Sequence, residues 1–293
     1  MRSEKVKKIK TVGIQFKNIG KVYNFNPGEI FLNMGDSVIV ETIRGVELGR
    51  VVEKVKEANL SDLEHELKPV IRKAVNDDLT MFEENKELAK ISITKFKDLV
   101  KNRNLPMKAL ECEYTLDRQK VLFYYSSDDR VDFRDLLKDL ASEFKVRIEL
   151  RQVGPREGAR FIGGIGCCGR KLCCKEHMRE FDLITMKMAK DQNMNLNTNK
   201  VTGQCGKLMC CISYEDPIYQ EIRSRMPEID DIVKTPSCDG CRVVGIDYLK
   251  ELVKIEDGKN GVTVWAASEV TKVVAADKKQ AETFDIDVSD IEG

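Results

Sequence analysis

The stretch Cys167-Cys168-Gly169-Arg170-Lys171-Leu172-Cys173-Cys174 places four thiols in eight positions of a chain that has ten cysteines and two histidines. A single cysteine is usually a small buried hydrophobe. Clustered thiols are soft ligands that select zinc or an iron–sulfur cluster. The pattern recurs as Cys205-Gly206-Lys207-Leu208-Met209-Cys210-Cys211, so both copies read C-G-[RK]-x-x-C-C. Two copies, each with its glycine and basic residue in register, point to a built metal centre. Each supplies a Cys-x4-Cys pair, Cys168 with Cys173 and Cys205 with Cys210, giving four thiolates. A structural zinc site favours the tighter Cys-x2-Cys knuckle, whereas a 4Fe-4S cube accepts looser spacing, so iron–sulfur is preferred and zinc is the alternative. Arg170 and Lys207 offset the negative charge of such a centre. The second cysteine of each doublet, Cys174 or Cys211, points away from the first; one is packing and the other is free to serve a second centre shared with another protein.

These residues must be positioned by elements legible in the rest of the chain. Alternating apolar and polar residues in Thr11–Pro27, followed by Val/Ile-rich runs around Gly45, predict short strands. Helical spacing from 71 to 104, with Leu88, Ile91, Phe96, Leu99 and Val100 on one stripe and Pro106 beyond it, predicts a helical hairpin. A strand pair, an Asp-capped amphipathic helix and a returning strand give the order β-β-α-β. The expected fold class is α+β. Residues 1–70 form a small SH3-like β-barrel, 71–105 the helical hairpin, 106–162 the β-β-α-β sandwich, 163–215 the cysteine-rich cluster-binding segment, 216–276 a second small barrel, and 277–293 a disordered acidic tail with six acids against two lysines.

Lys+Arg and Asp+Glu are both 49, so global charge selects no partner. Locally, residues 145–190 hold eleven Lys/Arg against five Asp/Glu, a charge that offsets thiolates or meets an acidic protein or RNA. The charged N-terminus has no apolar stretch behind it and no run is long enough to span a membrane, so the expected location is the cytoplasm, where thiols stay reduced and clustered cysteines bind metal.

The stretch GGIGCCGRKLCC, followed by MAKDQNMNLNTNKVTGQCGKLMCC, resembles the YaaT/RicT family, and the likeness runs from VGIQFKNIGKVYNFNPG to the VKTP segment. The resemblance implies a non-enzymatic subunit that assembles with two small helical partners, RicA and RicF, into a complex carrying two 4Fe-4S clusters. It also implies action with ribonuclease Y in messenger RNA processing and an influence on sporulation, competence and biofilm formation. By resemblance, Cys168, Cys173, Cys205 and Cys210 hold the cluster within the chain, and Cys174 is offered to the cluster shared with the partners. Its basic neighbours Arg170, Lys171 and Lys175 lead us to expect an outward-facing Cys174 thiolate of lowered pKa. Two positions depart from the family pattern. Cys167 stands where proline is more usual and competes with Cys168 as a ligand. Cys238-Asp239-Gly240-Cys241 forms a Cys-x2-Cys at a barrel turn, read as incidental cysteines in preference to a zinc half-site or redox pair. Cys112, alternating with apolar residues in a strand, is read as core.

An enzyme is not expected. His65 lies in a charged helical-looking stretch, His177 follows the cysteines in a basic segment, neither has evident partners, and no phosphate-binding loop occurs. The alternative to the regulatory subunit is an RNA-binding protein with a structural zinc or iron–sulfur site, its contacts made by Arg147, Arg151, Arg156 and Arg160. With aromatic residues at 6% and only Phe161 adjoining that run, stacking on bases is poorly provided for, and a protein surface is preferred as the target of those arginines.

Overall fold

A computed structural model describes residues 8–17, 20–59, 67–195, 197–257 and 261–274. The expectations for His65 and the acidic tail lie outside the described residues. The chain forms two compact units: one runs to Asp182 and takes in Thr202–Cys210, the other comprises Leu183–Val201 and the chain from Cys211 onward. Among the described residues, no helix is long and apolar enough to cross a membrane.

The first unit opens with strands β1 (Lys8–Gln15), β2 (Tyr23–Phe25), β3 (Ser37–Glu41), β4 (Val46–Val51), β5 (Lys56–Asn59) and β6 (Val70–Lys73), paired in the order β2-β1-β4-β3-β6 with β5 alongside β1. A bridge between Asn26 and Pro69 joins the two ends of that path. Alternating residues Val12, Ile14, Val38 and Val40 turn to one face and bury against Phe25, Leu32, Val51 and Val70. Gly49 is required in this sheet, because a Cβ there would come within 2.3 Å of the Ile14 side chain.

The region expected to be a helical hairpin is instead one helix, α1, spanning Asn76–Asn102. No glycine or proline interrupts those residues, so nothing provides a turn, and the helix stops where Asn104 adopts a left-handed conformation (φ 49°) before Pro106. Its buried face also differs from the apolar stripe. Ile91 is 59% exposed, while Asp78, Asn85 and Ser92 are buried with Phe96 and Val100. These polar residues stand seven apart on one face, and each is hydrogen-bonded. Asn85 donates to the carbonyls of Thr115 and Leu116 at 3.2 Å and accepts from Arg118. Ser92 meets the Tyr114 hydroxyl at 2.9 Å. Asp78 accepts from the Val75 N–H at 2.8 Å and from Arg72, closing the first turn of the helix.

The β-β-α-β order is present as β7 (Lys108–Tyr114), β8 (Lys120–Ser126), α2 (Arg134–Phe144) and β9 (Arg147–Gln152), with β7–β8 antiparallel and β8–β9 parallel. The parallel pair requires a crossover, which α2 supplies. Strand β8 is central and Val121 to Tyr125 are all buried. Val121, Phe123 and Tyr125 face Phe96, Val100, Leu136 and Leu140, with Cys112 buried in this core as expected. Leu122 and Tyr124 face the opposite side, where Val153 and Phe161 cover them.

The second unit contains α5 (Met186–Asp191), α6 (Thr198–Val201), most of α7 (Cys210–Arg225), and an antiparallel sheet of β10 (Ile232–Thr235), β11 (Cys238–Asp247), β12 (Leu252–Asp257), β13 (Gly261–Ala266) and β14 (Thr271–Val274), ordered β13-β12-β11-β10-β14. Helices α3 (Pro155–Ile162) and α4 (Cys173–Glu176) belong to the first unit, and α4 carries two of the cysteines discussed below. Tyr219, Ile222 and Met226 pack on Val233, Val243, Val253 and Ile255. The expected segment 163–215 is therefore not one body, since Leu183–Val201 joins this unit: Asn193 donates to the Ile246 carbonyl at 2.9 Å, and Gln192 to that of Ile212 at 2.7 Å.

Two stability outcomes follow. Asn85→Leu, which takes the amide donor from the Thr115 and Leu116 carbonyls and the acceptor from Arg118, costs about 1–3 kcal/mol in urea unfolding, whereas Ile91→Ala changes stability by less than about 0.5 kcal/mol; the reverse ranking would restore the apolar-stripe reading. Asp78 has its pKa lowered, chiefly by the Arg72 hydrogen bond and also by the Val75 N–H. Its folded pKa lies below the unfolded value of about 3.9, so its contribution is complete above that value and is lost as pH falls through the folded pKa. Wild type therefore loses stability on acidification below about pH 4 more steeply than Asp78→Ala, measured by urea midpoints across that range.

Candidate metal centre

Helix α3 (Pro155–Ile162) lies on the outer face of the three-stranded sheet, its Phe161 ring 5.1 Å from Tyr124. Lys17 from the N-terminal sheet sits over both rings, at 5.5 and 5.2 Å, and pairs with Glu113, which also accepts from the Tyr124 hydroxyl at 2.8 Å. This network holds the end of α3, from which the first cysteine turn departs.

The two copies of the motif fold alike. In the first, Ile165 bridges Lys171, the Gly166 N–H donates to Arg170 at 2.7 Å, and the Gly169 N–H donates to Gly166 at 3.0 Å. In the second, Thr202 bridges Leu208, Gly203 donates to Lys207 at 2.8 Å, and Gly206 to Gly203 at 2.9 Å. Gly169 and Gly206 both have φ of 79°, a left-handed conformation that glycine adopts without steric cost. Cys168 and Cys205 therefore occupy equivalent turn positions. Cys173 opens α4 (Cys173–Glu176) and Cys210 opens α7, so each copy delivers one thiol from a turn and one from the start of a helix. The repeat extends one step further back than the cysteines show, to Gly166 and Gly203. A Cβ on these residues would stand 3.4 Å from the Cys168 sulfur and 3.8 Å from the Cys205 sulfur, ordinary contact distances that place each thiol directly over its glycine.

The copies also touch each other. Gln204, the counterpart of Cys167, donates from its side chain to the Ile165 carbonyl. Cys167 in turn lies 3.7 Å from the Met209 sulfur. Arg156 reaches the Leu208 carbonyl at 2.8 Å and stacks on Phe181 at 5.2 Å. Sequence reasoning missed this brace and placed Arg156 in an outward basic run. Arg147 and Arg151, by contrast, are exposed on β9.

Cys167 and Cys168 are exposed, Cys173, Cys205, Cys210 and Cys211 are half-buried, and Cys174 is only 4% exposed. The expected outward-facing Cys174 of lowered pKa is thus corrected. Burial raises its pKa, and the nearby thiols Cys210 and Cys205 raise it further. The basic side chains that suggested otherwise point to solvent, with Arg170, Lys171 and Lys175 all exposed and Lys175 donating to the Phe161 carbonyl at 3.1 Å. His177 is exposed just after α4. Among the described residues, the one group of three candidate ligand atoms within 4.8 Å of one another is Cys238, Cys241 and Asp257, at a site the sequence reading treated as incidental.

The model of the PSP1 C-terminal conserved region matches residues 68–153, and that of the third domain of PSP1-like proteins matches 183–226. No solved structure matches. An uncharacterized protein of Schizosaccharomyces pombe is 29% identical over 147 residues, 41% of this chain and 20% of the relative. Protein PSP1 of Saccharomyces cerevisiae is 48% identical over 46 residues, 16% of this chain and 6% of the relative, so the chain spans only a small part of both fungal proteins. Stage 0 sporulation protein YaaT of Bacillus subtilis (strain 168) is 44% identical over 245 residues, which cover 84% of this chain and 89% of the relative. On that likeness the chain belongs to the YaaT family of PSP1-related proteins.

Proposed function

We propose that this protein is a non-enzymatic, cytoplasmic iron–sulfur subunit of a regulatory complex that influences sporulation. The observation that carries this reading is the pair of equivalent turn-and-helix units meeting within one compact body, with Cys168 and Cys205 on the turns and Cys173 and Cys210 at the helix starts. Four thiolates fit a 4Fe-4S cluster, which would supply redox or oxygen-sensitive chemistry when bound. The Cys-x4-Cys spacing of each copy supports a cluster over zinc, which more often takes the tighter Cys-x2-Cys knuckle. The exposed Arg170 and Lys207 beside the turns offset its negative charge. The ring of pairings in the N-terminal sheet, and the five-stranded C-terminal sheet with a 3-10 turn (Ala267–Glu269) before its last strand, are read as SH3-like barrels that frame this centre in sequence.

The printed name of the Bacillus relative supports the sporulation role. The family resemblance supplies the rest of the proposal: small helical partners of the RicA and RicF kind, a second 4Fe-4S cluster shared with them, and action with ribonuclease Y in messenger RNA processing. Cys174 remains the family's candidate for the shared cluster. Its burial means that α4 must move before its thiol can reach a partner, and the exposed Cys167 competes for that role. Because Arg156 is turned inward, an RNA-binding run of four arginines has less support than a protein-binding surface.

Purified without oxygen, the protein is expected to be brown and to hold about four irons and four sulfides for the cluster within the chain. Serine at Cys168, Cys173, Cys205 or Cys210 should remove most of both; a colourless protein with one tightly bound zinc would overturn the cluster. In the cluster-free chain, iodoacetamide should label Cys167 and Cys168 well before Cys174, read by peptide mass spectrometry, because a buried thiol of raised pKa supplies little accessible thiolate. After reconstitution with both partners, Cys174→Ser should lower iron per complex while leaving the isolated chain's iron unchanged. Loss of iron with Cys167→Ser or Cys211→Ser instead would reassign the shared ligand.

A further inference from the structure

The second unit carries a pair of cysteines that the proposed centre does not use. Cys238 and Cys241 are disulfide-bonded across the start of β11, with Cα atoms 6.1 Å apart and the intervening Gly240 in a left-handed conformation (φ 99°). Cys241 is 3% exposed and belongs to the core with Val233 and Val243, whereas Cys238 is half-buried and packs against that core from its edge. The Asp257 carboxylate, at the end of the neighbouring strand, lies within 4.8 Å of both sulfurs.

A bond closing so short a loop removes little freedom from the unfolded chain, about 2 kcal/mol in the chain-entropy account, against roughly 4.7 kcal/mol for a loop of a hundred residues. As a structural staple it is poorly placed. A half-buried cysteine at the edge of the core, a buried one behind it and a carboxylate beside both is instead an arrangement for opening and closing the bond. We propose that Cys238 and Cys241 form a reversible thiol–disulfide exchange site for low-molecular-weight disulfides, with Cys238 attacking and Cys241 resolving.

Starting from the dithiol, the Cys238 thiolate attacks one sulfur of a disulfide RS–SR. A Cys238–SR bond forms, the RS–SR bond breaks, and the departing RS⁻ takes a proton from solvent. Cys241 then gives its proton to Asp257 and attacks the Cys238 sulfur. The Cys238–Cys241 bond forms, the Cys238–SR bond breaks, and the second RS⁻ leaves and is protonated. The two protein thiols are oxidised by two electrons, and one disulfide is reduced to two thiols. Excess RSH drives the same steps backwards, entering at Cys238 because Cys241 is covered.

The test uses the full chain and glutathione. Trypsin releases both cysteines in one eight-residue peptide, Thr235–Arg242, so the pair is read separately from the other eight cysteines. Wild type is expected to shift reversibly between dithiol and disulfide, two hydrogens apart in mass, as the ratio of oxidised to reduced glutathione is varied. Cys241→Ser should accumulate one glutathione on Cys238, while Cys238→Ser should leave Cys241 unmodified under the same conditions; Cys241→Ala repeats the first measurement without placing a hydroxyl in an apolar core. Asp257→Asn should slow release of glutathione from Cys238 roughly a hundredfold near neutral pH, the lower end for a positioned general base, and flatten its pH dependence. The proposal is overturned if the peptide stays a dithiol throughout the titration, if glutathione is found on Cys241 in preference to Cys238, or if one zinc per chain shields both thiols from alkylation.

Discussion

Strand β8 has no solvent face, and the first unit is arranged around that fact. Residues 121–125 are buried on alternating sides, so each side needs its own cover. One side is closed by α1 and α2, which bring Phe96, Val100, Leu136 and Leu140 against Phe123. The other is closed by Val153 and Phe161 over Leu122 and Tyr124. Phe161 is on α3, and α3 runs directly into the first cysteine turn. The apolar demand of a central strand thus sets where the cysteine-rich segment begins, and the Lys17–Glu113–Tyr124 network fixes the same point from the N-terminal sheet.

The turns that follow are governed by backbone conformation more than by packing. Gly169 and Gly206 adopt the same left-handed φ, and the hydrogen bonds across each turn match. A side chain at either position would strain the turn and displace the thiol before it. Gly166 and Gly203 lie beneath the sulfurs at contact distance. The duplicated glycines are therefore as much a part of the site as the cysteines. The contacts between copies, Gln204 to Ile165 and Cys167 to Met209, come from equivalent or adjoining positions, which explains why one copy can carry a cysteine where the other carries glutamine without losing the arrangement.

Charge near the site is divided by accessibility. Arg170, Lys171 and Lys175 face solvent, whereas Cys174 is buried, and burial together with the Cys210 and Cys205 thiols raises its pKa against the opposing pull of Arg160. Arg156 takes the opposite course, spending its guanidinium on a backbone carbonyl of the second copy and on the Phe181 ring. Adjacent basic residues in one stretch of chain thus perform different tasks, one as a brace and others as surface charge.

Strand alternation, the β-β-α-β order and the equivalence of the two cysteine copies were legible in the sequence, because each depends on local periodicity or on residue types at fixed spacing. Cys112 was placed correctly for the same reason. The uninterrupted run from 76 to 102 also contained the evidence against a hairpin, in its lack of glycine and proline. Other features were decided only by the tertiary structure. Asn85 and Ser92 look like surface residues until carbonyls and a hydroxyl from β7 and the turn beyond it arrive to satisfy them. The direction of Cys174, the inward turn of Arg156, the division of 163–215 between two units and the approach of Asp257 to Cys238 and Cys241 all depend on residues distant in sequence. Spacing along the chain determines which groups a turn or helix can present together, but burial and pairing are set by whatever packs against that element, and that partner is chosen by the fold as a whole.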